Sequence, residues 1–221
     1  MQPAACIFDL DGVIVDTARY HFLAWKRLAD QLGIKFTKEN NERLKGVSRM
    51  ASLEIILSLG DIKPDKTEKL RYATLKNDWY VEYISRMTPE EVLPGSMTFL
   101  EELRDAKIPM AIGSASKNTP MILERVGIRK FFAAVADGNN VSKAKPDPEV
   151  FIRAVEMLSV DPGRCVVFED AIAGVQAAIN AGMMCIGIGS AKILKEAHFV
   201  VAGLYEMNLE KLLTLGNNIR L

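Results

Sequence analysis

The chain of 221 residues has little cysteine, histidine or tryptophan, and it carries no excess of either charge. Its three cysteines, Cys6, Cys165 and Cys185, sit inside or beside apolar runs and share no metal-type spacing. They read as buried reduced thiols rather than bridges or ligands, which suits a reducing cytoplasm. With 28 Lys and Arg against 28 Asp and Glu, no broad positive field is available for a nucleic-acid backbone or an anionic membrane. Any anionic ligand must be caught locally, by a few placed groups. The sequence also lacks an apolar stretch long enough to span a bilayer, a secretory-type N-terminus, an internal repeat and a low-complexity segment. The expectation is a cytoplasmic, monomeric protein with no nucleic-acid or membrane partner.

What is present is a change of rhythm. Residues 4–8 are apolar and end abruptly at Asp9, as a buried strand running into a loop does. From Thr17 to about Met87 apolar residues recur at helical spacing instead: Phe22, Trp25, Leu28, Ala29 and Leu32, then Leu53, Ile56 and Leu57, then Leu70, Ala73 and Tyr80. After Leu93-Pro94-Gly95 strands and helices alternate. Strands are expected at 109–114, 133–136, 164–168 and 183–188, and helices at 98–106, 118–126, 148–158 and 171–181, with a weaker repeat in the tail. This pattern predicts an α/β fold, a doubly wound parallel sheet with helices on both faces. The all-helical block separates the first strand from the others. Residues 1–16 and 88–221 therefore read as the core, and residues 17–87 as an inserted helical cap domain joined by two linkers.

Ligands of open parallel sheets bind beyond the carboxyl ends of the strands. Four polar clusters fall at such places: Asp9-Leu10-Asp11-Gly12, Ser114-Ala115-Ser116, Lys145-Pro146 in a long loop, and Glu169-Asp170. Asp-x-Asp alone is also an ordinary turn sequence. A second acidic pair after another apolar run changes its meaning, because carboxylates gathered at one sheet edge repel unless a cation joins them. Hard oxygen ligands near a phosphate point to magnesium. Ser114 would supply a hydroxyl donor, and Lys145 a fixed positive charge, to a phosphoryl group in transfer.

Asp-x-Asp, Ser, Lys and Glu-Asp, in that order, resemble the four-motif signature of the haloacid dehalogenase superfamily, with its Rossmann-like core. The resemblance covers essentially the whole chain. It implies that Asp9 attacks phosphorus to form an aspartyl-phosphate and that Asp11 acts as general acid and base. It also implies that Asp9, Asp11, Glu169 and Asp170 hold Mg2+, and that Ser114, Ala115 and Lys145 hold the transferring phosphate. The segment Asp16–Phe22, the loop Leu44-Lys45-Gly46-Val47-Ser48-Arg49, the pair Lys76-Asn77 and the run Ser114–Asn118 are similar to the β-phosphoglucomutase family.

That narrower resemblance implies a small sugar phosphate as substrate and β-glucose 1,6-bisphosphate as intermediate. Arg49, with Lys45, Gly46, Val47 and Ser48, would bind the substrate's distal part, as would Ser116, Lys117 and Asn118. His21 and Lys76 would couple cap closure to alignment of Asp11. Taken alone, His21 reads as packing beside Trp25, and Lys76 as a solvated lysine. His198, Trp25 and Trp79 read as structural. Gly113 is expected to leave room beside the phosphate, and Gly138-Asn139-Asn140 departs from the family pattern. Two rivals stand: a phosphatase with the same chemistry but water as acceptor, and a non-catalytic module phosphorylated as a switch.

Overall fold

Buried strands and amphipathic helices alternate through the computed structural model, which describes residues 2–44 and 47–219. The chain divides into two compact units, Met1–Asp16 with Thr88–Leu221, and Thr17–Met87. The first contains one six-stranded sheet: β1 Ala5–Phe8, β2 Met110–Gly113, β3 Ala134–Ala136, β4 Cys165–Glu169, β5 Met184–Ile188 and β6 Phe199–Val201. All neighbours pair in parallel, in the order β3-β2-β1-β4-β5-β6. The first five strands are those expected from the sequence. The sixth and a final helix fall in the tail, where the alternation is weak.

Strands β1, β2, β4 and β5 are buried along their whole length, which is why they read as continuous apolar runs rather than as alternating ones. Side chains still alternate between the two faces. Phe8 lies opposite Phe168, and their rings stack with centroids 4.7 Å apart. Phe99, from the helix Ser96–Asp105, meets Phe168 edge-on at 5.4 Å. On the other face Ile7, Ala111 and Val167 join Phe151 and Ala154 of the helix Glu149–Leu158, with Val175 and Ala178 of the helix Ile172–Asn180. Each fully buried phenylalanine contributes about 1.5–3 kcal/mol. Because β1 lies between β2 and β4, the loops leaving β1 and β4 open at the point where the winding reverses direction.

The two crossing segments of this unit run side by side. Val15 bridges to Val92, and the Leu93 N–H donates to the Ile14 carbonyl at 2.8 Å.

The second unit is helical throughout its described residues: α1 Ala18–Gln31, α2 Lys38–Glu42, α3 Arg49–Leu59 and α4 Lys66–Ile84. Thr37, Ser48 and Asp65 cap α2, α3 and α4 by accepting backbone N–H groups in the first turn. Trp25, Leu28 and Ala29 of α1, and Leu53, Ile56 and Leu57 of α3, are buried as their spacing predicts. Helix α4 differs. Leu70 is 52% exposed, while Lys76 is only 2% exposed and joins Ala73, Tyr80 and Ile84 on the inner face.

Candidate active site

Asp9 follows β1, and its N–H donates to the Phe168 carbonyl of β4 at 2.9 Å. The sheet itself therefore fixes the backbone of this carboxylate. Asp9 Oδ2 accepts the Asp11 N–H at 3.0 Å, which closes the Asp-Leu-Asp turn. Gly12 continues the turn at φ +85°, and a Cβ there would run into the Asp170 carboxylate. The two acidic motifs, some 160 residues apart in sequence, are thus brought against each other.

Glu169 is the last residue of β4, and its carboxylate is 1% exposed. Its Oε1 accepts the Ala171 N–H at 3.0 Å, and its Oε2 lies 2.7 Å from Lys145 Nζ. Lys145 Nζ also donates to Asp9 Oδ1 at 2.5 Å. The lysine is buried between the two acids. Burial alone would lower its pKa, but Asp9 and Glu169 more than offset this and hold it above the usual lysine range. Burial raises the Glu169 pKa, the Asp9 charge adds to the rise, and Lys145 opposes it.

Carboxylate oxygens of Asp9, Glu169 and Asp170 lie within 4.8 Å of one another. Three hard oxygen donors gathered at one sheet edge fit a divalent cation, so the donor set suits the metal read from the sequence. A Cβ at Gly174 would collide with the Glu169 carboxyl group, so the first turn of the helix Ile172–Asn180 closes the acidic cluster from below.

Ser114 leaves β2 with its N–H on the Ala136 carbonyl, and its Oγ accepts the Ser116 N–H at 3.2 Å. Ser116 Oγ accepts the Asn118 N–H in turn, and the helix Thr119–Arg125 follows. Ser114 is buried, Ala115 and Lys117 are exposed, and Ser116 and Asn118 are half-buried. This loop leans on a turn that the sequence singled out only as a departure. Asn139 Nδ2 donates to the Lys117 carbonyl at 2.9 Å, and the Gly138 N–H points to the Ser116 carbonyl.

The expectation for Gly113 is corrected. A Cβ there would meet the Phe151 ring at 2.7 Å, and Lys145 Nζ lies 4.8 Å from the centre of that ring. The glycine makes room for the aromatic surface under the lysine, not for a phosphate.

In the helical unit, Lys76 Nζ lies 3.0 Å from His21 Nδ1 and within 4.7 Å of the Trp25 and Tyr80 ring centres. An ammonium can only donate, so Nδ1 accepts and the neutral ring carries its proton on Nε2. Burial pulls the His21 pKa well below its ordinary value, and the Lys76 and Arg49 charges add to the effect. The reading of Lys76 as a solvated lysine is therefore overturned, because aromatic faces and an imidazole nitrogen take the place of water. His21 packs on Tyr80, with ring centres 4.1 Å apart. Arg49 opens α3 and is half-buried, Ser48 caps the same helix through the Ala51 N–H, and Val47 precedes it. Lys45 and Gly46 lie outside the described residues.

His198 is structural, since its Nδ1 accepts the Cys185 N–H at 3.1 Å. All three cysteines are buried and reduced, with their thiol pKa values pushed up by burial.

A family model for haloacid dehalogenase-like hydrolases matches residues 3–182. The chain is 45% identical to β-phosphoglucomutase of Bacillus subtilis over 94% of its own length and 93% of that protein. It is 33% identical to the phosphorylated carbohydrates phosphatase of Thermotoga maritima, over 81% of this chain and 82% of that one. Among solved structures it is similar to β-phosphoglucomutase from Clostridium difficile, at TM-score 0.94 and 39% identity, covering 100% of this chain and 99% of the other.

Proposed function

The chain belongs to the haloacid dehalogenase-like hydrolases, and from that membership we propose that it is a β-phosphoglucomutase, an isomerase working through a covalent aspartyl-phosphate. One observation carries this reading over a plain phosphatase: identity to a β-phosphoglucomutase reaches 45% over 94% of the chain, and a β-phosphoglucomutase structure covers all of it, the helical block with Arg49, His21 and Lys76 included. The resemblance to a sugar-phosphate phosphatase is weaker in identity and shorter in span.

In the proposed cycle, Asp9 carries the phosphoryl group. The 6-hydroxyl of β-glucose 1-phosphate attacks phosphorus, its proton passes to Asp11, and the Asp9 carboxylate leaves. The resulting β-glucose 1,6-bisphosphate reverses its orientation. Asp9 then attacks the phosphorus at the 1-position, and the departing C1 oxygen takes the proton back from Asp11, giving glucose 6-phosphate. Lys145, Ser114 and the backbone near Ala115 are assigned to the transferring phosphate, where fixed charge and donors need no reorganisation. Arg49, with Val47 and Ser48, and the Ser116-Lys117-Asn118 loop are assigned to the distal phosphate.

Mg2+ is the proposed metal. The carboxylates of Asp9, Glu169 and Asp170, with Asp11, would hold it, and when bound it supplies positive charge that cancels repulsion between the nucleophile and a phosphate ester. A small sugar phosphate in the cytoplasm, acted on by a monomer, completes the reading.

The test supplies protein with magnesium, β-glucose 1-phosphate and a trace of the 1,6-bisphosphate, following glucose 6-phosphate and free phosphate together. Glucose 6-phosphate from the β-anomer alone, with little free phosphate, is expected. Dominant release of free phosphate would make this a phosphatase instead.

A further inference from the structure

Lys145 is buried, yet Ser142, Lys143, Ala144 and Pro146 around it are exposed. It is a single inward residue on a surface loop between β3 and the helix Glu149–Leu158, outside any strand ladder. Its four-carbon stem is flexible, so its aim at Asp9 and Glu169 depends on where this backbone is held.

Two side chains from different helices hold it. The Glu149 carboxylate reaches back from the first turn of its helix. Its Oε1 accepts the Ser142 N–H at 3.0 Å and the Ser142 hydroxyl at 3.1 Å, and its Oε2 accepts the Lys143 N–H at 2.6 Å. These charge-assisted bonds to two successive backbone groups end two residues before Lys145. On the far side, Asn180 Nδ2 donates to the Pro146 carbonyl at 3.1 Å. Asp147 joins the clasp, accepting the Glu149 N–H at 3.0 Å and pairing with Lys143 Nζ at 3.2 Å.

We propose that Glu149 is a positioning residue for phosphoryl transfer: it clasps the loop so that Lys145 meets the phosphoryl group, with Asn180 as the opposing tether. The proposal rests on the role assigned to Lys145 above. It touches neither the substrate nor the identity of the acceptor, so it applies equally to a mutase and a phosphatase.

The test measures magnesium-dependent phosphorylation of Asp9 by acetyl phosphate, a step that forms the aspartyl-phosphate and releases acetate. Wild type is compared with Glu149→Ala, Lys145→Met and the double variant, each checked for fold by circular dichroism. Glu149→Ala is expected to slow phosphorylation about ten- to a hundredfold, as a displacement near 1 Å can. The double variant should then be no slower than Lys145→Met, since Glu149 acts only through the lysine. A merely structural residue would give additive losses, and additive losses, or an unchanged rate in Glu149→Ala, would overturn the clasp. Full phosphorylation in Lys145→Met would instead refute the role of the lysine itself. Should Glu149→Ala fail to fold, Asn180→Ala takes its place in the same cycle, with the same non-additivity expected. Acetylation of Lys145 by acetic anhydride, read by mass spectrometry, gives a second readout without turnover: it should rise in Glu149→Ala, and protection equal to wild type would count against the proposal.

Discussion

The carboxylate proposed as nucleophile is held in place by its neighbours. Asp9 takes a hydrogen bond from the Asp11 N–H on one oxygen and from Lys145 on the other, so its orientation is fixed before any substrate arrives. Asp9→Asn keeps the size but loses the charge proposed to attack phosphorus. On the proposed mechanism it loses the phosphoenzyme and lowers turnover by about four orders of magnitude or more, with the fold intact. Intact-mass measurement after incubation with acetyl phosphate checks this, and retained phosphorylation would refute the nucleophile. A second expectation concerns Gly174, the third residue of its helix. Alanine there would gain about 1 kcal/mol of helix propensity, but its methyl would run into the buried Glu169 carboxyl, which Lys145 and the Ala171 N–H hold in place. Overpacking costs about 1–3 kcal/mol, so Gly174→Ala should destabilise on balance, and displacing the Glu169 carboxyl, a proposed metal ligand, should weaken magnesium binding about tenfold. Thermal unfolding and magnesium titration read the two effects separately.

Helices α1 and α4 are joined by a polar contact inside an aromatic box, and this gives the helical unit a pH dependence of definite sign. The ordinary histidine value is 6.5, and in the folded unit His21 lies well below it. Above pH 6.5 both folded and unfolded chains carry a neutral ring, and nothing is lost. Below it the unfolded chain takes up a proton that the folded unit refuses, so stability falls as the pH drops, by at most about 1.4 kcal/mol per unit. Both tryptophans, Trp25 and Trp79, belong to this unit, so urea unfolding followed by their fluorescence reports it alone. His21→Gln should flatten the slope between pH 6.5 and 5, and an unchanged slope would remove His21 as its source.

For the molecule as a whole, the proposed mutase reading turns on which acceptor the phosphoryl group meets. Arg49→Ala should lower mutase turnover about ten- to a hundredfold, the worth of one charge-assisted contact to phosphate, while hydrolysis of a small ester such as p-nitrophenyl phosphate changes less than about twofold. Equal losses on both substrates would show that Arg49 does not hold a distal phosphate. The alternating architecture, the first five strands and the polar residues that gather or sit at strand ends, Asp9, Ser114, Lys145, Glu169 and Asp170, were all legible in the sequence. Apolar runs such as Ala-Cys-Ile-Phe break sharply at polar residues, and burial on both faces of a parallel sheet leaves that mark locally. Three features were not legible: Lys76 inside an aromatic box, Phe151 filling the space at Gly113 beneath Lys145, and Glu149 clasping the lysine loop. Each depends on which side chains from separate elements meet. A lysine on a charged helix looks solvated until Trp25 and Tyr80 close over it, and a glutamate at a helix start looks like an ordinary first-turn acid until the loop turns back onto its carboxylate. Residue type and period determined the chemistry available at the sheet edge; only tertiary packing decided how that chemistry is aimed, because contacts across many residues leave no period in the chain.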